Sequence, residues 1–502
     1  MAQSPKKYAV VGGGFAGLSA AYELLRNDKT CIVTLFERDP AHVGGNIYTR
    51  VKGDVSPIDF GVIEIFIYYK SVNAIIHELY GPRALEGQRP IRSTDHAFSS
   101  DSETVPIDRE ADSVRRVQLL GHVLRSWRFY HLSHANHEVE NDLDMDTLYA
   151  EYMYSSESRQ KHGRAYIAGY TYGPLNEWFL GIAGGVRYRQ GEPATLFNCN
   201  VQDIVSKMLR VMSGASPTAI DKAEEHVANA QQTLNARGRF VVKLGHALTS
   251  VGTRTITTKH LGDTPQEHTE FDNVILAMPC TPLVTEALAA VSGRALAPIK
   301  YTQTWALLIK FDQELPTSHF AVMVDTALFD DTDSMAIISF AATAMCTTVP
   351  GTVVMYVRVN PDVKSSVTEQ IVRQFVTANY QRIHALKNMK TLNIIEVHPF
   401  PHTMPYGIAQ AAHINAVKAV TRDSFVHFAG QWCGFPSLEI ACYSGRRAAT
   451  MINGDLEKFD AYYRHVDRFY VLKKISAPVL AAIFFLIILI MLPITAARAI
   501  RS

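Results

Sequence analysis

The residues with the clearest chemical purpose form a glycine-rich turn near the amino terminus. An apolar run at 8–11 leads into Gly12, Gly14 and Gly17, and apolar residues at helical spacing continue through 18–25. In a strand–turn–helix unit of this kind, the first glycine permits the tight turn, the second lets the backbone approach a pyrophosphate, and the third lets the helix pack on the strand. The pattern predicts a dinucleotide site, with the N–H groups of the first helical turn facing the phosphates.

An acid ends the second predicted strand, where the ribose of an adenosine would lie. The apolar residues 31–36 precede Glu37, which stands twenty residues after the last glycine of the turn. A carboxylate at that position can accept hydrogen bonds from both ribose hydroxyls, and it repels a 2′-phosphate. We predict that Glu37 and Arg38 bind the adenosine half, and that Phe15 and Ala16 contribute to the phosphate cradle.

A pair of glycines continues the pattern. Gly44 and Gly45 precede Asn46, and the turn Asp59-Phe60-Gly61, followed by Val62, comes shortly afterwards. This stretch resembles the extended FAD fingerprint of the flavin-containing amine oxidase superfamily, which includes monoamine and polyamine oxidases, protoporphyrinogen oxidases and phytoene desaturases. The resemblance implies that the double glycine and Asn46 contact the pyrophosphate and ribityl chain. It also implies that Gly61 and Val62 lie beside the isoalloxazine ring.

Later segments extend the resemblance over most of the chain. Residues 240–251 are similar to the family's strand that pairs with the adenine edge, and 271–279 are similar to its next strand. Residues 428–431 and 437–449 resemble the closing signature, whose helix points its positive end at the flavin. The cofactor contacts that these segments add are Leu248, Gly430, Gln431, Ser437 and Leu438.

The chain departs from the family pattern at three positions. Asn46 stands where arginine is usual, Gln431 replaces an acid, and Ile440 replaces a helix glycine. The loop 402–406 resembles the family's M-P-x-Y segment near the ring, so Tyr406 is the first residue to test for a catalytic role. Because no cysteine occurs in that loop, the resemblance implies non-covalent FAD rather than the thioether of monoamine oxidases.

One departure concerns the reaction itself. Amine oxidases of this family carry a lysine, bonded through water to flavin N5, on the strand that corresponds to 304–311. An ungapped alignment places Ala306 there, with Lys300 and Lys310 as alternatives if the alignment shifts, and it places Ser437 where a cage tyrosine would be. These replacements weigh against amine oxidation. No catalytic acid or base is assigned, since hydride transfer to a flavin need not use one.

The distance between the fingerprint segments predicts a discontinuous α/β domain. We expect a Rossmann-type FAD-binding domain combined with an α+β substrate domain and a carboxyl-terminal transmembrane helix. Aromatic residues within 163–189 either line a substrate cavity or pack in a core, and Ser366 is expected to cap a helix that runs to Leu386. The predicted order is FAD-binding 5–75, helical substrate part 76–199, FAD-binding 200–290, substrate sheet and helix 291–419, FAD-binding 420–456, connector 457–475 and anchor 476–498.

Composition excludes several other classes of protein. The 502 residues are 47% hydrophobic, which is enough for packed cores and excludes disorder. The net charge is +1 and no run of basic residues is longer than two, so nucleic acid is not an expected partner. The six cysteines form no C-x-x-C pair and the nineteen histidines form no ligand motif, so we expect neither a disulfide scaffold nor a metal site.

An uncharged segment near the carboxyl end predicts a membrane anchor. Residues 477–497 carry no charge and are long enough, as a helix, to span the roughly 30 Å hydrocarbon core. A buried core helix is the alternative. The basic start of the chain resembles a signal peptide, but the dinucleotide turn explains its glycines better. No N-x-S/T sequon occurs in the chain, which fits a domain that does not enter the secretory lumen. We expect a single-pass anchor with the flavin domain in the cytosol.

These features favour one reaction class. The expected step is hydride transfer from a substrate C–H to flavin N5, chemistry that belongs largely to the cofactor. The leading hypothesis is a membrane-tethered FAD-dependent oxidoreductase that dehydrogenates, desaturates or isomerises a lipophilic small molecule. A flavin-dependent amine oxidase is the first alternative. A flavin fold kept as a membrane scaffold without turnover is the second.

Overall fold

The structure is a computed structural model of the whole chain. It describes the following residues: 4–50, 58–61, 65–66, 69–81, 84, 89–90, 96–99, 104–106, 185–187, 201–214, 229–260, 262–315, 321–324, 337–344, 349–359, 361–362, 364–383, 386–403, 405–406, 409–434 and 437–464. The predicted aromatic cluster of 163–189 falls almost entirely outside these ranges, and the predicted anchor at 476–498 lies outside them altogether. Both therefore stay predictions.

Strands and helices alternate through the amino-terminal part, and longer strands follow. The strands are β1 (Lys7–Val11), β2 (Ile32–Phe36), β3 (Thr49–Arg50), β4 (Ile58–Asp59), β5 (Ile65–Phe66), β6 (Arg89–Pro90), β7 (His96–Ser99), β8 (Thr104–Pro106), β9 (Gly185–Arg187), β10 (Phe240–Lys243), β11 (His246–Val251), β12 (Ile256–His260), β13 (Gln266–His268), β14 (Asn273–Leu276), β15 (Lys300–Tyr301), β16 (Gln303–Phe311), β17 (Ala321–Val324), β18 (Ile337–Thr343), β19 (Thr352–Val359), β20 (Leu392–Phe400), β21 (Pro405–Tyr406) and β22 (Val426–Phe428). The helices are α1 (Phe15–Asn27), α2 (Lys70–Tyr80), α3 (Val201–Ser213), α4 (Pro282–Ser292), α5 (Glu369–Asn379), α6 (Ala409–Lys418), α7 (Leu438–Asn453) and α8 (Leu456–Arg464).

Five parallel strands form the sheet that carries the glycine-rich turn. Their order is β10-β2-β1-β14-β22, so the sheet joins three stretches that are distant in sequence. Successive side chains point to opposite faces. Val10 therefore packs with α1, α2, α3 and α7, whereas Ala9 and Val11 pack with α4 and α6. Burial on both faces is typical of parallel sheets, and it confirms the predicted α/β class.

A seven-stranded sheet forms the second layer. Its order is β20-β16-β19-β18-β17-β7-β8, and every neighbouring pair is antiparallel except β17 with β7. Residues of β16 alternate between two cores. Trp305 and Leu307 pack under α5, whereas Ala306 and Leu308 pack against Phe60 of the predicted FAD-binding part. This second face is the one that meets the cofactor fingerprint.

The predicted helix beginning at Ser366 differs from the observed one. Residues Lys364–Ser366 form a 3-10 turn, and α5 begins at Glu369 with Thr368 as its cap, whose hydroxyl accepts a hydrogen bond from the Ile371 N–H. The helix ends at Asn379 rather than at Leu386. Both Ser366 and Thr368 are suitable caps, so local sequence could not choose between them. Burial of Val372, Phe375 and Val376 under the sheet decides the start.

No helix within the described ranges has the length and apolar character needed to cross a bilayer.

Candidate functional site

The glycine-rich turn has the geometry that its sequence predicts. Gly12 has a φ of +106°, which favours glycine, and a methyl group there would lie 2.6 Å from the carbonyl oxygen of Ala277. A methyl group at Gly17 would lie 1.9 Å from the carbonyl oxygen of Gly12. Both glycines are therefore required by the packing of α1 and β14 on the turn, whether or not a ligand is present.

Gly14 differs from these two because the fold does not require a glycine there. Its φ of −68° and ψ of 175° suit any residue, and a methyl group on it would meet nothing closer than the Gly45 Cα at 3.9 Å. Gly14 is also the N-cap of α1, and no side chain caps the free N–H groups of that first turn. Open space beside uncapped N–H groups and a positive helix end is an anion cradle.

Glu37 lies at the edge of this cradle and is held by the backbone. Its Oε2 accepts a hydrogen bond from the Gly13 N–H at 2.6 Å, and its Oε1 accepts one from the Asp39 N–H at 2.8 Å. An ionised carboxylate has about four acceptor positions, so capacity for hydroxyl donors remains. The two backbone contacts fix the orientation that ribose recognition needs.

The second glycine pair packs directly on the first turn. The Gly44 N–H donates to the Gly13 carbonyl at 2.9 Å, and a methyl group at Gly45 would lie 3.1 Å from the Gly14 Cα. Gly61 in turn lies so close to Asn46 that a methyl group there would lie 1.9 Å from the Asn46 carbonyl oxygen. The turn that ends at Gly61 is thereby seated on the loop that carries the double glycine.

Two of the departures from the family pattern act on the same loop. The Asn46 side chain donates to the His402 carbonyl at 3.1 Å, and the Gln431 side chain donates to the Thr403 carbonyl at 2.7 Å and to the His402 carbonyl at 3.4 Å. An acid at 431 could not donate to these oxygens. Two neutral amides therefore join both ends of the fingerprint to residues 402–403, a contact that the sequence did not reveal.

His402 is neutral in this position. Burial is the main cause that lowers the pKa of its imidazole to about 4, and the positive charges of Lys364 and Arg38 lower it further. Its ring packs edge-on against Tyr301 at 5.5 Å between centroids. Although Arg38 itself is exposed, it contributes positive potential to this end of the site.

Helix α7 brings a second N-terminus to the site. Ser437 is the N-cap of this helix, which begins where the closing signature places it, and the Ser437 hydroxyl accepts a hydrogen bond from the Ile440 N–H at 3.2 Å. Ser444 holds Gly430 by accepting from its N–H at 2.9 Å. A methyl group at Gly445 would lie 2.1 Å from the Ala16 carbonyl oxygen, so α7 and α1 are in close backbone contact. The two helix starts are thus fixed relative to each other.

The position expected to carry an amine oxidase lysine is apolar and closed. Ala306 is fully buried in the cluster that contains Phe60. Neither alternative lysine replaces it. The Lys300 ammonium pairs with Asp362 at 2.5 Å and is 60% exposed, and Lys310 is exposed on β16 beyond Leu308.

For the remaining predicted residues, the structure gives the position in the fold but no contact that assigns a role. Leu248 lies on β11 opposite Thr258, two residues after His246, whose N–H donates to the Glu37 carbonyl. Phe15, Ala16 and Leu438 are buried at the starts of their helices. Val62 and the side chain of Tyr406 lie outside the described part. Within that part, no three His, Cys, Asp or Glu side chains are grouped so that they could hold a metal ion.

Together these residues fit FAD. The uncapped turn at Gly14 suits the pyrophosphate and Glu37 suits the adenosine ribose, while Gly430 is held by α7, the helix that packs on α1. Cys433, three positions after Gly430 in sequence, is unsuited to attack because burial raises the pKa of its thiol well above the usual value.

Comparison with known proteins supports this interpretation. The family model described as flavin containing amine oxidoreductase matches residues 15–453. One similar solved structure is a CLA-producing fatty acid isomerase from P. acnes, with 15% sequence identity, a TM-score of 0.58, and a match over 90% of this chain and 100% of that one. Another is cyclohexylamine oxidase from Brevibacterium oxydans IH-35A, with 14% identity, a TM-score of 0.52, and a match over 90% of this chain and 100% of that one. A triple mutant of putrescine oxidase has 13% identity, a TM-score of 0.54, and a match over 89% of this chain and 98% of that one. No curated protein sequence matches the chain.

Proposed function

The chain belongs to the flavin-containing amine oxidoreductase family and is an FAD-dependent oxidoreductase, and from this premise we propose that it acts on C–H bonds of a lipophilic substrate rather than on an amine. Bound FAD would supply the two-electron acceptor for that reaction. The fold alone does not determine the substrate, because similar structures include a fatty acid isomerase and amine oxidases. The choice rests on this chain's own residues.

The observation that carries the proposal is the packed, uncharged cluster around Ala306. Its buried members are apolar, and they include Phe60, Leu308, Val354 and Phe400. A lysine at 306 would bury an ammonium without a partner, which costs several kcal/mol. The packing around Ala306 therefore has no place for the lysine that amine oxidases of this family carry there.

The polar groups at the border of this cluster are neutral or already paired. The His398 ring stacks on Tyr48 with centroids 3.9 Å apart, and burial lowers the pKa of His398. Glu396 pairs with Arg50 at 2.5 Å, so its carboxylate is occupied. An ammonium substrate would find no unpaired carboxylate among these groups, whereas a hydrocarbon chain would lose little by entering.

The test is anaerobic mixing of the purified holoprotein with candidate substrates. We expect linoleate or an isoprenoid alcohol either to bleach the flavin absorption or to emerge with a moved or additional double bond, detected by mass spectrometry and NMR. Benzylamine and spermidine should leave the flavin oxidised. Ala306→Lys should lower the thermal unfolding midpoint and the FAD content, because it buries an ammonium without a partner. Lys310→Ala, an exposed change on the same strand, should leave both unchanged.

Two outcomes would contradict the proposal. If an amine bleaches the flavin and the apolar compounds neither bleach it nor are changed, the enzyme is an amine oxidase. If Ala306→Lys keeps the unfolding midpoint and FAD content of the parent protein, the cluster around Ala306 can hold a lysine and no longer weighs against amine oxidation.

We further propose that residues 476–498 tether the enzyme to a bilayer with the flavin domain in the cytosol. The support is the uncharged segment 477–497 and the absence of N-x-S/T sequons from the whole chain. After alkaline carbonate extraction of membranes, the full chain should stay in the pellet, whereas a chain ending at residue 475 should move to the supernatant. Release of the full chain by carbonate would overturn the tether.

A further inference from the structure

A second cavity lies apart from the cofactor cradle. It has a volume of about 380 Å³, opens to the surface and is lined mainly by α6, β22, α7 and α8. That volume is within the range of small-molecule sites, about 300–1,000 Å³. Several lining residues, among them Phe428, Ile440 and Ser444, belong to the closing fingerprint segments, but none of the lining residues is a predicted cofactor contact.

The cavity and the cofactor cradle lie on opposite faces of α7. At about 100° per residue, Ile440, Ser444, Arg447 and Met451 share one face of the helix, and all four line the cavity. Gly445 lies on the other face, which packs on Ala16 of α1. A molecule in the cavity would therefore be separated from the dinucleotide turn by the thickness of the helix.

The walls are apolar, and the charged groups leave one positive charge in excess. Ile414, Val417, Phe428 and Met451 are among the apolar lining residues. The charged lining residues are two cations and one anion. Arg447 pairs with Asp460 at 3.2 Å, each about one quarter exposed, while Lys418 is exposed at the end of α6. A negatively charged head group would complement this excess.

A buried histidine forms part of the cavity wall without adding charge. His427 on β22 is 1% exposed and is one of the lining residues. Burial lowers the pKa of its imidazole to about 4, although a hydrogen bond with the Ser424 backbone acts in the opposite direction. The ring is therefore neutral near pH 7, and the positive charge of the lining comes from Lys418 and Arg447.

We propose that this cavity binds an amphipathic monoanion of the fatty-acid class, with its hydrocarbon chain against the apolar walls and its carboxylate near Lys418 and Arg447. The site is distinct from the one where the substrate of the proposed reaction meets the flavin. Its occupancy can still affect the cofactor, because Ser444 on the cavity wall holds the Gly430 backbone.

Binding is tested by titrating the FAD-loaded full chain with laurate in an isothermal calorimeter. We expect a saturable site, separate from any binding at the flavin, that binds laurate at least about tenfold more tightly than 1-dodecanol, since only laurate complements the excess positive charge. Val417→Trp fills the cavity and should weaken laurate binding at least tenfold. Ala419→Trp is the matched control: the residue is exposed two positions further on and does not line the cavity, so binding should stay within twofold.

A second variant tests the positive charge at the cavity without filling the cavity. Lys418→Met removes an exposed cation and should weaken laurate binding several-fold while leaving dodecanol binding unchanged. Flavin content and the thermal unfolding midpoint of each variant should match those of the parent chain. Absence of saturable laurate binding, or equal binding by Val417→Trp, would overturn the proposal.

The same variants separate this site from the reaction centre. Val417→Trp should retain its reaction with the apolar substrate, so loss of laurate binding and of turnover together would show that the cavity is the substrate site and the inference is wrong. If instead no apolar substrate reacts with the parent enzyme, laurate binding should persist, because it does not depend on the reaction.

Discussion

Replacing Gly14 by valine is expected to abolish FAD binding without unfolding the protein. The backbone angles of Gly14 suit any residue and there is open space beside it, so the folded chain tolerates a side chain. The same side chain would occupy the cradle at the start of α1 and push the pyrophosphate off the N–H groups. Each lost charge-assisted hydrogen bond is worth about 1.5–3 kcal/mol, so two lost bonds weaken FAD binding at least about 100-fold. Flavin absorbance of the purified variant and FAD titration of the apoprotein measure the effect.

Gly17→Ala is the informative comparison because it should lose FAD for a different reason, the destabilisation of the protein itself. Its methyl group would lie 1.9 Å from the Gly12 carbonyl oxygen, so the helix must move and the apoprotein itself is destabilised. Thermal unfolding of the two apoproteins should therefore separate them, with Gly14→Val close to the parent chain and Gly17→Ala well below it. Normal FAD content in Gly14→Val would show that the cofactor does not lie against this turn.

Replacing Glu23 by leucine is expected to cause the largest loss of folding stability. Glu23 on α1 accepts a hydrogen bond from Arg446 of α7 at 2.9 Å, and their side chains are only 6% and 8% exposed. Removing one partner leaves a buried charge without compensation, which costs about 3–5 kcal/mol. Urea denaturation followed by circular dichroism measures the loss. FAD content should fall with it, because α1 and α7 both start at the cofactor cradle.

Two further variants show whether the buried charge is the cause. Arg26→Met removes an exposed ion pair of the same helix, with Glu78 at 2.9 Å, together with a longer contact to Glu23 at 3.9 Å, and should cost no more than about 1 kcal/mol. The double variant Glu23→Leu with Arg446→Met removes both charges and should recover most of the stability lost by Glu23→Leu alone. A double variant as unstable as the single one would attribute the loss to packing instead.

Several features of the cofactor site were predictable because they depend on neighbours in sequence. The turn at Gly12, Gly14 and Gly17 requires special backbone positions at short intervals, and the acid at Glu37 follows one helix and one strand later. The cap at Ser437 is also local, since its hydroxyl bonds the N–H three residues on. Helix α5 shows the limit of such reasoning, because Ser366 and Thr368 are equally good caps and only burial under the sheet chose between them.

The sequence by itself therefore determined the class of cofactor and the strand–turn–helix unit that binds it, since both follow from short-range geometry and residue type. Tertiary structure alone decided that Asn46 and Gln431 hold one loop, that Lys300 and Lys310 are exposed, and that a cavity opens behind α7. These facts depend on which faces of distant elements pack together. Packing joins residues more than 300 positions apart through contacts of a few ångströms, and no pattern along the chain encodes such distances.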